Sequence, residues 1–324
     1  MSYKINPLRY LTKIPKIWIF LLLVQIAIPV AINNPYYIKI FVMFYIYIIF
    51  AMSWDLLGGY LGIVSFGHAL FFGVAAYTTA LLNVRLNWPP IINFPLSILC
   101  ALVMSLIVAK PSIRLKGHYL TLVTLAFPII VTNVFFAFPG FFGADLGIPG
   151  ISRLSYSRVV DFYIAFIATW VIYFILKRII SSDIGLILRA IQSNEVAPVS
   201  CGIDIAKVKL QMFLVSGMFA GVAGFLYAHV IKIVGPESLG MGLSVEAVVI
   251  CVIGGIGTLS GAVFGAVVVT FINEFLRIIE EYRFLIYYLL ILLIVLFFPK
   301  GLKFYIDKLL PFTGKRLRGK GFGL

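Results

Sequence analysis

The chain has 324 residues, 62% of them apolar and only 12% charged. Soluble domains run near ~45–50% apolar and ~25% charged, so a water-soluble fold and intrinsic disorder are both excluded. The formal net charge of +14 comes from 26 basic and 12 acidic side chains. The basic residues lie between apolar runs, so they read as membrane sidedness and not as a nucleic-acid surface.

A helix that crosses the bilayer takes about 20 apolar residues. Spans are expected at 17–32, 38–57, 61–82, 91–109, 119–138, 159–176, 210–231 and 284–298. The run 245–272 is long for one span, short for two and rich in glycine, so it reads as two spans, one or both broken. The expected fold is all-α: a polytopic transmembrane helical bundle of about ten spans with glycine-interrupted helices. Residues 1–16 form a basic tail, 17–298 the membrane domain and 299–324 a second basic tail. The first run ends in Ile32-Asn33-Asn34-Pro35 with no small-x-small site, so it is expected to be a retained span and not a cleaved signal.

Alternating spans with both ends cytoplasmic leave only Lys39, Arg85, Arg153, Arg158, Lys232, Arg277 and Arg283 outside. The other basic residues fall inside, among them Lys110, Arg114 and Lys116 after the fourth span and Lys177, Arg178, Arg189, Lys207 and Lys209 after the sixth. This asymmetry fixes the expected orientation. Cys100, Cys201 and Cys251 show neither a pairing pattern nor a metal spacing.

Two glycine-rich strings resemble each other: Gly58-Gly59-Tyr60-Leu61-Gly62-Ile63-Val64-Ser65-Phe66-Gly67 and Gly254-Gly255-Ile256-Gly257-Thr258-Leu259-Ser260-Gly261. Matching interrupted spans in two halves point to an internal repeat and a solute site, although both strings are expected near the cytoplasmic side, unlike a strict inverted repeat. Each glycine has two readings, close helix packing or a broken helix whose free backbone groups line a pathway. The polar insertion Ser65-Phe66-Gly67-His68 favours the second for the first string. His68 by itself reads as a hydrogen-bonded packing residue. Asp55, Asp161 and Glu246 are the acids nearest the apolar runs, each close to a span end. No span holds a central acid–base pair, which counts against an ion-driven carrier.

The longest polar stretch is the loop 177–209. Ser181, Ser182 and Asp183 are N-cap candidates. Ile184, Ile187, Leu188 and Ile191 then make one apolar stripe of a short helix. Pro198 is expected to halt that helix near Ala197, Gly202 permits a turn, and Asp204 can cap the helix that follows. Such a helix either rests on lipid or docks on a protein partner. Arg189 is the only basic residue between positions 184 and 199, and that favours the partner. No Gly-x-x-x-x-Gly-Lys-Ser/Thr string is present, so the chain is not its own ATP motor. There is no residue-level sign of catalysis and none of a metal site.

Together these strings resemble the permease subunits of branched-chain amino acid ABC importers, over roughly residues 54–302. The carrying motifs are Leu56-Leu57-Gly58-Gly59-Tyr60-Leu61-Gly62-Ile63-Val64-Ser65-Phe66-Gly67-His68, Arg114-Leu115-Lys116-Gly117-His118-Tyr119-Leu120-Thr121-Leu122-Val123-Thr124-Leu125, Leu188-Arg189-Ala190-Ile191-Gln192-Ser193-Asn194-Glu195-Val196-Ala197 and Gly254-Gly255-Ile256-Gly257-Thr258. The second of these looks like the longer of that system's two permease types. The resemblance implies that the loop 177–209 carries a coupling helix for a cytoplasmic ATPase, with Arg189, Ala190, Asn194, Glu195 and Gly202 at that interface. Pro198 after Ala197 departs from the family pattern and is expected to shorten the helix there. The implied partners are a second permease subunit, two ATP-binding subunits and an extracytoplasmic solute-binding protein, with a small-molecule solute and membrane lipid, and no nucleic acid. No cofactor is expected in this chain, because ATP is used by the partner subunits. Ser65, Gly67, Thr121, Thr124, Gly254 and Gly255 are the pathway candidates. Leucine, isoleucine or valine is the implied cargo. Sister permeases for urea, sugar or another small solute remain the alternative, and a stand-alone carrier or channel is the alternative outside this class.

Overall fold

The computed structural model describes residues 34–115, 117–277, 282–298 and 301–309, with Gln25, Ile26 and Pro29 before them. The expected first span at 17–32, the basic tail before it, Lys116 and the far C-terminal tail lie outside the described residues, apart from those three. The elements in order are α1 (Pro35–Asp55), a π-turn (Leu56–Tyr60), α2 (His68–Leu86), α3 (Pro90–Ser112), α4 (His118–Ala137) and the short α5 (Pro139–Phe142). They continue with β1 (Ile148–Pro149), α6 (Arg158–Ile180), α7 (Asp183–Ser193), α8 (Val196–Ser200), α9 (Ile205–Ile231) and β2 (Ile233–Val234). The last are α10 (Met241–Gly254), α11 (Leu259–Leu276), α12 (Arg283–Phe297) and α13 (Leu302–Leu309). Among the described residues, seven helices are long and apolar enough to cross a membrane, and α10 and α12 are shorter apolar helices. The protein is an all-α, multi-pass membrane bundle; β1 and β2 pair as one two-residue antiparallel ladder.

The break in the run 245–272 falls at Gly255–Thr258, which separates α10 from α11. The run 61–82 is not one span. Residues 61–67 are non-helical, and the helix begins at His68. The Ser65-Phe66-Gly67 insertion therefore lies before the span, not within it.

The helix α9 sits at the centre, against α1, α2 and α3. Gly217 and Gly221 face Ser105 and Ala101 of α3 so closely that an added methyl would clash. This is the small-residue seam by which membrane helices gain dispersion contact where no hydrophobic driving force exists. Several polar groups inside the bundle are paired across helices. Ser105 Oγ donates to Phe213 O at 2.7 Å and Ser216 Oγ to Ser53 O at 2.7 Å. His68 is fully buried, with Nε2 2.8 Å from Ser53 Oγ, the packing role its sequence context suggests.

Basic residues separate by end. Lys39, Arg85, Arg153, Arg158, Lys232 and Arg277 lie at the end that carries the start of α1 and the β-ladder. Arg85 Nη2 there donates to Gly140 O at 2.6 Å, Arg158 Nη1 to Pro35 O at 2.8 Å, and Gly150 N to Lys232 O at 3.2 Å. Lys177, Arg178, Arg189, Lys207 and Lys209 lie at the opposite end, with α7.

Candidate functional site

At that second end the two glycine-rich strings meet. The helix α1 does not stop cleanly. It widens into the π-turn, turns at Gly62 (φ 76°), and runs without regular structure to Gly67. The Asp55 carboxylate is 1% exposed, and its Oδ1 accepts from Gly257 N at 2.8 Å, across 202 residues of sequence. Gly59 lies on the same peptide so closely that a Cβ there would strike Gly257 N. Leu259 N donates to Tyr60 Oη at 3.3 Å. A buried carboxylate is strongly unfavourable unless donors reach it; here the freed N–H of the second string reaches the acid at the end of the first span. The acid that looks interfacial in sequence is thus a buried clasp between the two strings.

The helix α7 is tied to this clasp. Gln192 Nε2 donates to Gly59 O at 3.0 Å, a carbonyl of the π-turn. The Arg189 guanidinium lies 5.9 Å from the centre of the Tyr60 ring. Leu188 and Ile191 are buried, as their stripe predicts, but Ile184 is 42% exposed and leaves it. Gly185 takes the inward position instead, against the backbone of Ile180, where no side chain fits. Pro198 does not end this helix either. The helix α7 stops at Ser193, four residues earlier than expected, because Asn194 is extended and its Oδ1 accepts from Val196 N at 2.9 Å. Pro198 then occupies the first turn of α8, where a missing N–H costs nothing.

The sequence-predicted loop residues fall as follows. Arg189 and Ala190 are exposed. Asn194 breaks the helix, and Gly202 (φ 78°) turns the chain back towards α9, where Asp204 Oδ1 accepts from Lys207 N at 3.1 Å. Glu195 pairs with the buried Lys209 of α9 at 2.6 Å, which anchors the loop to the central helix. The outer face of α7–α8 exposes large apolar side chains among its polar ones: Leu186 and Val196 are each 69% exposed and Val199 59%.

The pathway candidates divide into two groups. Ser65 is buried, and its carbonyl accepts from Trp54 Nε1 at 2.8 Å. Gly67 abuts the backbone of Thr124, Thr121 Oγ1 donates to Val64 O at 3.0 Å, and Thr124 Oγ1 donates to Thr121 O at 2.8 Å. These four bring the non-helical segment onto the start of α4. Gly254 packs on Gly261, and Gly255 on Gly301, across the clasp from them. A cavity of about 430 Å³ opens beside the first group, between Gly62, Thr121, Gln192 and Lys209. Sequence reasoning missed Gln192 and Tyr60 as connectors. Their signal was present, a polar and an amphipathic residue inside motifs quoted for other members.

Comparison with known proteins agrees with this architecture. The model of the branched-chain amino acid transport system / permease component family matches residues 36–296. The chain belongs to this family. It is 28% identical to the high-affinity branched-chain amino acid transport system permease protein LivM of Salmonella typhimurium, covering 93% of this chain and 76% of the relative. The LivM protein of Escherichia coli is also 28% identical, over 85% and 70%. A probable branched-chain amino acid transport permease protein LivM of Methanocaldococcus jannaschii is 23% identical, over 81% and 92%. No solved structure matches the chain. In this chain the clasp joins two of the four motif strings that carry the resemblance.

Proposed function

We propose that this chain is the membrane-spanning subunit of an ATP-driven importer for leucine, isoleucine and valine, working with a second permease, two ATP-binding subunits and an extracytoplasmic solute-binding protein. Both termini face the cytoplasm, as does the end that carries α7. One observation carries the reading: α7 and α8 expose Leu186, Val196 and Val199 outward, and α7, through Gln192, holds the π-turn of the first glycine-rich string inward. Exposed apolar side chains on a membrane protein's aqueous face mark a docking surface. A motor seated there moves α7 when it closes on ATP. Gln192 passes that displacement to Gly59, and Asp55 passes it to Gly257. Arg189, Ala190 and Asn194 lie at the docking face, while Glu195 and Gly202 fix the return to α9. Ser65, Gly67, Thr121, Thr124, Gly254 and Gly255 are the backbone and hydroxyl groups nearest the segments so moved, and they border the solute's route.

The test is the double variant Leu186→Asp/Val199→Asp. Both side chains are exposed, so membrane insertion and thermal stability should stay at the wild-type level. Copurification of the ATP-binding subunits and uptake of labelled leucine should fall at least tenfold. Wild-type uptake in that variant, or leucine uptake by the wild type that excess isoleucine and valine do not compete, contradicts the reading.

A further inference from the structure

The end opposite α7 holds a cavity of about 190 Å³ where the start of α1, the start of α6 and the end of α9 meet. That is below the ~300–1,000 Å³ of drug-sized sites, so it suits one small solute. Ile38, Val42, Val230 and Ile231 give it a branched aliphatic wall. Its charged groups among the described residues are Lys39, Arg153, Arg158, Asp161 and Lys232. The chain directly before α1, residues 17–34, has no ionisable side chain.

Two acceptors here have no donor. His229 is 2% exposed. Its Nδ1 lies 2.8 Å from the carbonyl of Ser152, which can only accept, so Nδ1 carries the proton. In the neutral ring Nε2 then keeps a lone pair, and no hydrogen-bond partner among the described residues reaches it. The same holds for the buried Oδ1 of Asp161. Arg158 stands one turn before Asp161 on α6, yet Asp161 forms no ion pair among the described residues. Arg158 Nη1 donates to Pro35 O, which leaves the rest of its fork for another acceptor. The Arg153 side chain makes no hydrogen bond or ion pair among the described residues. Buried acceptors left unpaired are unfavourable, so these two point to a ligand that donates.

We infer that this cavity binds a free zwitterionic amino acid, its ammonium between Asp161 and His229 Nε2, its carboxylate on Arg153 and Arg158, and its aliphatic side chain against Ile38 and Val42. The inference rests on the amino acid reading above and adds a place for the solute. The ammonium brings donors to both orphaned acceptors, and the carboxylate brings acceptors to the guanidinium fork. A plain anion would turn its oxygens on the Asp161 carboxylate, and a plain cation would face two guanidinium groups. A sugar's hydroxyls could reach these groups, but without charge-assisted bonds and against an aliphatic wall. The headgroup of phosphatidylethanolamine shares the paired-charge chemistry, so the test separates the two sources.

The complex of permeases and ATP-binding subunits, without the solute-binding protein, is placed in nanodiscs of phosphatidylcholine, whose headgroup has no N–H. It is titrated with labelled leucine, isoamylamine (no carboxylate) and isocaproate (no ammonium). The wild type should bind leucine saturably and prefer it to both analogues. Asp161→Asn should weaken leucine binding at least tenfold and erase the preference over isocaproate only. Arg158→Gln should do the same towards isoamylamine only. Equal weakening of all three compounds in both variants means a structural role and overturns the site. So do analogue preferences unchanged in both variants; leucine uptake that persists once the binding protein is restored then leaves the transport function standing. A wild type that neither binds leucine nor takes it up with the binding protein overturns both readings. Leucine binding absent in phosphatidylcholine, with phosphatidylethanolamine copurifying with the wild type and lost from Asp161→Asn, makes the cavity a lipid site and overturns the amino acid site.

Discussion

The helices α9 and α4 are both long apolar spans, yet 61% of α9's apolar core is buried and only 17% of α4's. The less buried helix is the more apolar of the two. Apolarity therefore does not sort helices into centre and rim in this bundle, because lipid is as good a solvent for leucine as protein is. Residue size separates these two helices. The helix α9 carries Gly217, Ala220, Gly221, Ala223 and Gly224, and neighbouring backbones approach it closely. The helix α4 has no glycine and presents Leu122, Ile129, Ile130 and Val134 outward.

The sharpest way to break this comparison is to put bulk at the centre. Gly224→Leu drives a side chain into the Phe72 carbonyl of α2. It should cost on the order of 3 kcal/mol or more and show as loss of monodisperse protein on gel filtration. A normal yield of stable protein removes residue size as the organising rule.

Next in size is the link between α7 and the π-turn. Gln192→Ala removes one hydrogen bond to a carbonyl at the clasp, so stability should fall by about 1 kcal/mol. The functional effect should be larger. ATP hydrolysis by the assembled transporter should persist while leucine uptake per ATP drops severalfold. Equal losses in both would mean that α7 only supports the fold.

The smallest effect is expected on the rim. Leu122→Ala, at a side chain 60% exposed, should change the stability of the isolated chain by less than about 0.5 kcal/mol. Copurification of the second permease distinguishes what covers α4. If that yield falls, α4 is a subunit interface; if it holds, α4 faces lipid.

Read in order, the residues themselves determined the class and most of the spans. That signal is one-dimensional: a run of about 20 apolar residues is long enough to cross. The glycine strings, the short loop helix and the break in 245–272 were legible for the same reason, since glycine, proline and the helical period act locally. Helix ends were read less well. Asn194 stopped α7 before Pro198 because a side-chain cap ends a helix earlier than a proline further along can. Only the tertiary structure decided that Asp55, 202 residues from Gly257, is a buried clasp and not an interfacial acid. It alone set Gln192 on Gly59, and it gathered Asp161 and His229 around one cavity. Those pairings depend on which helices lie side by side, and that is settled by close backbone approach at small residues spread over the whole chain, a pattern that no local window contains.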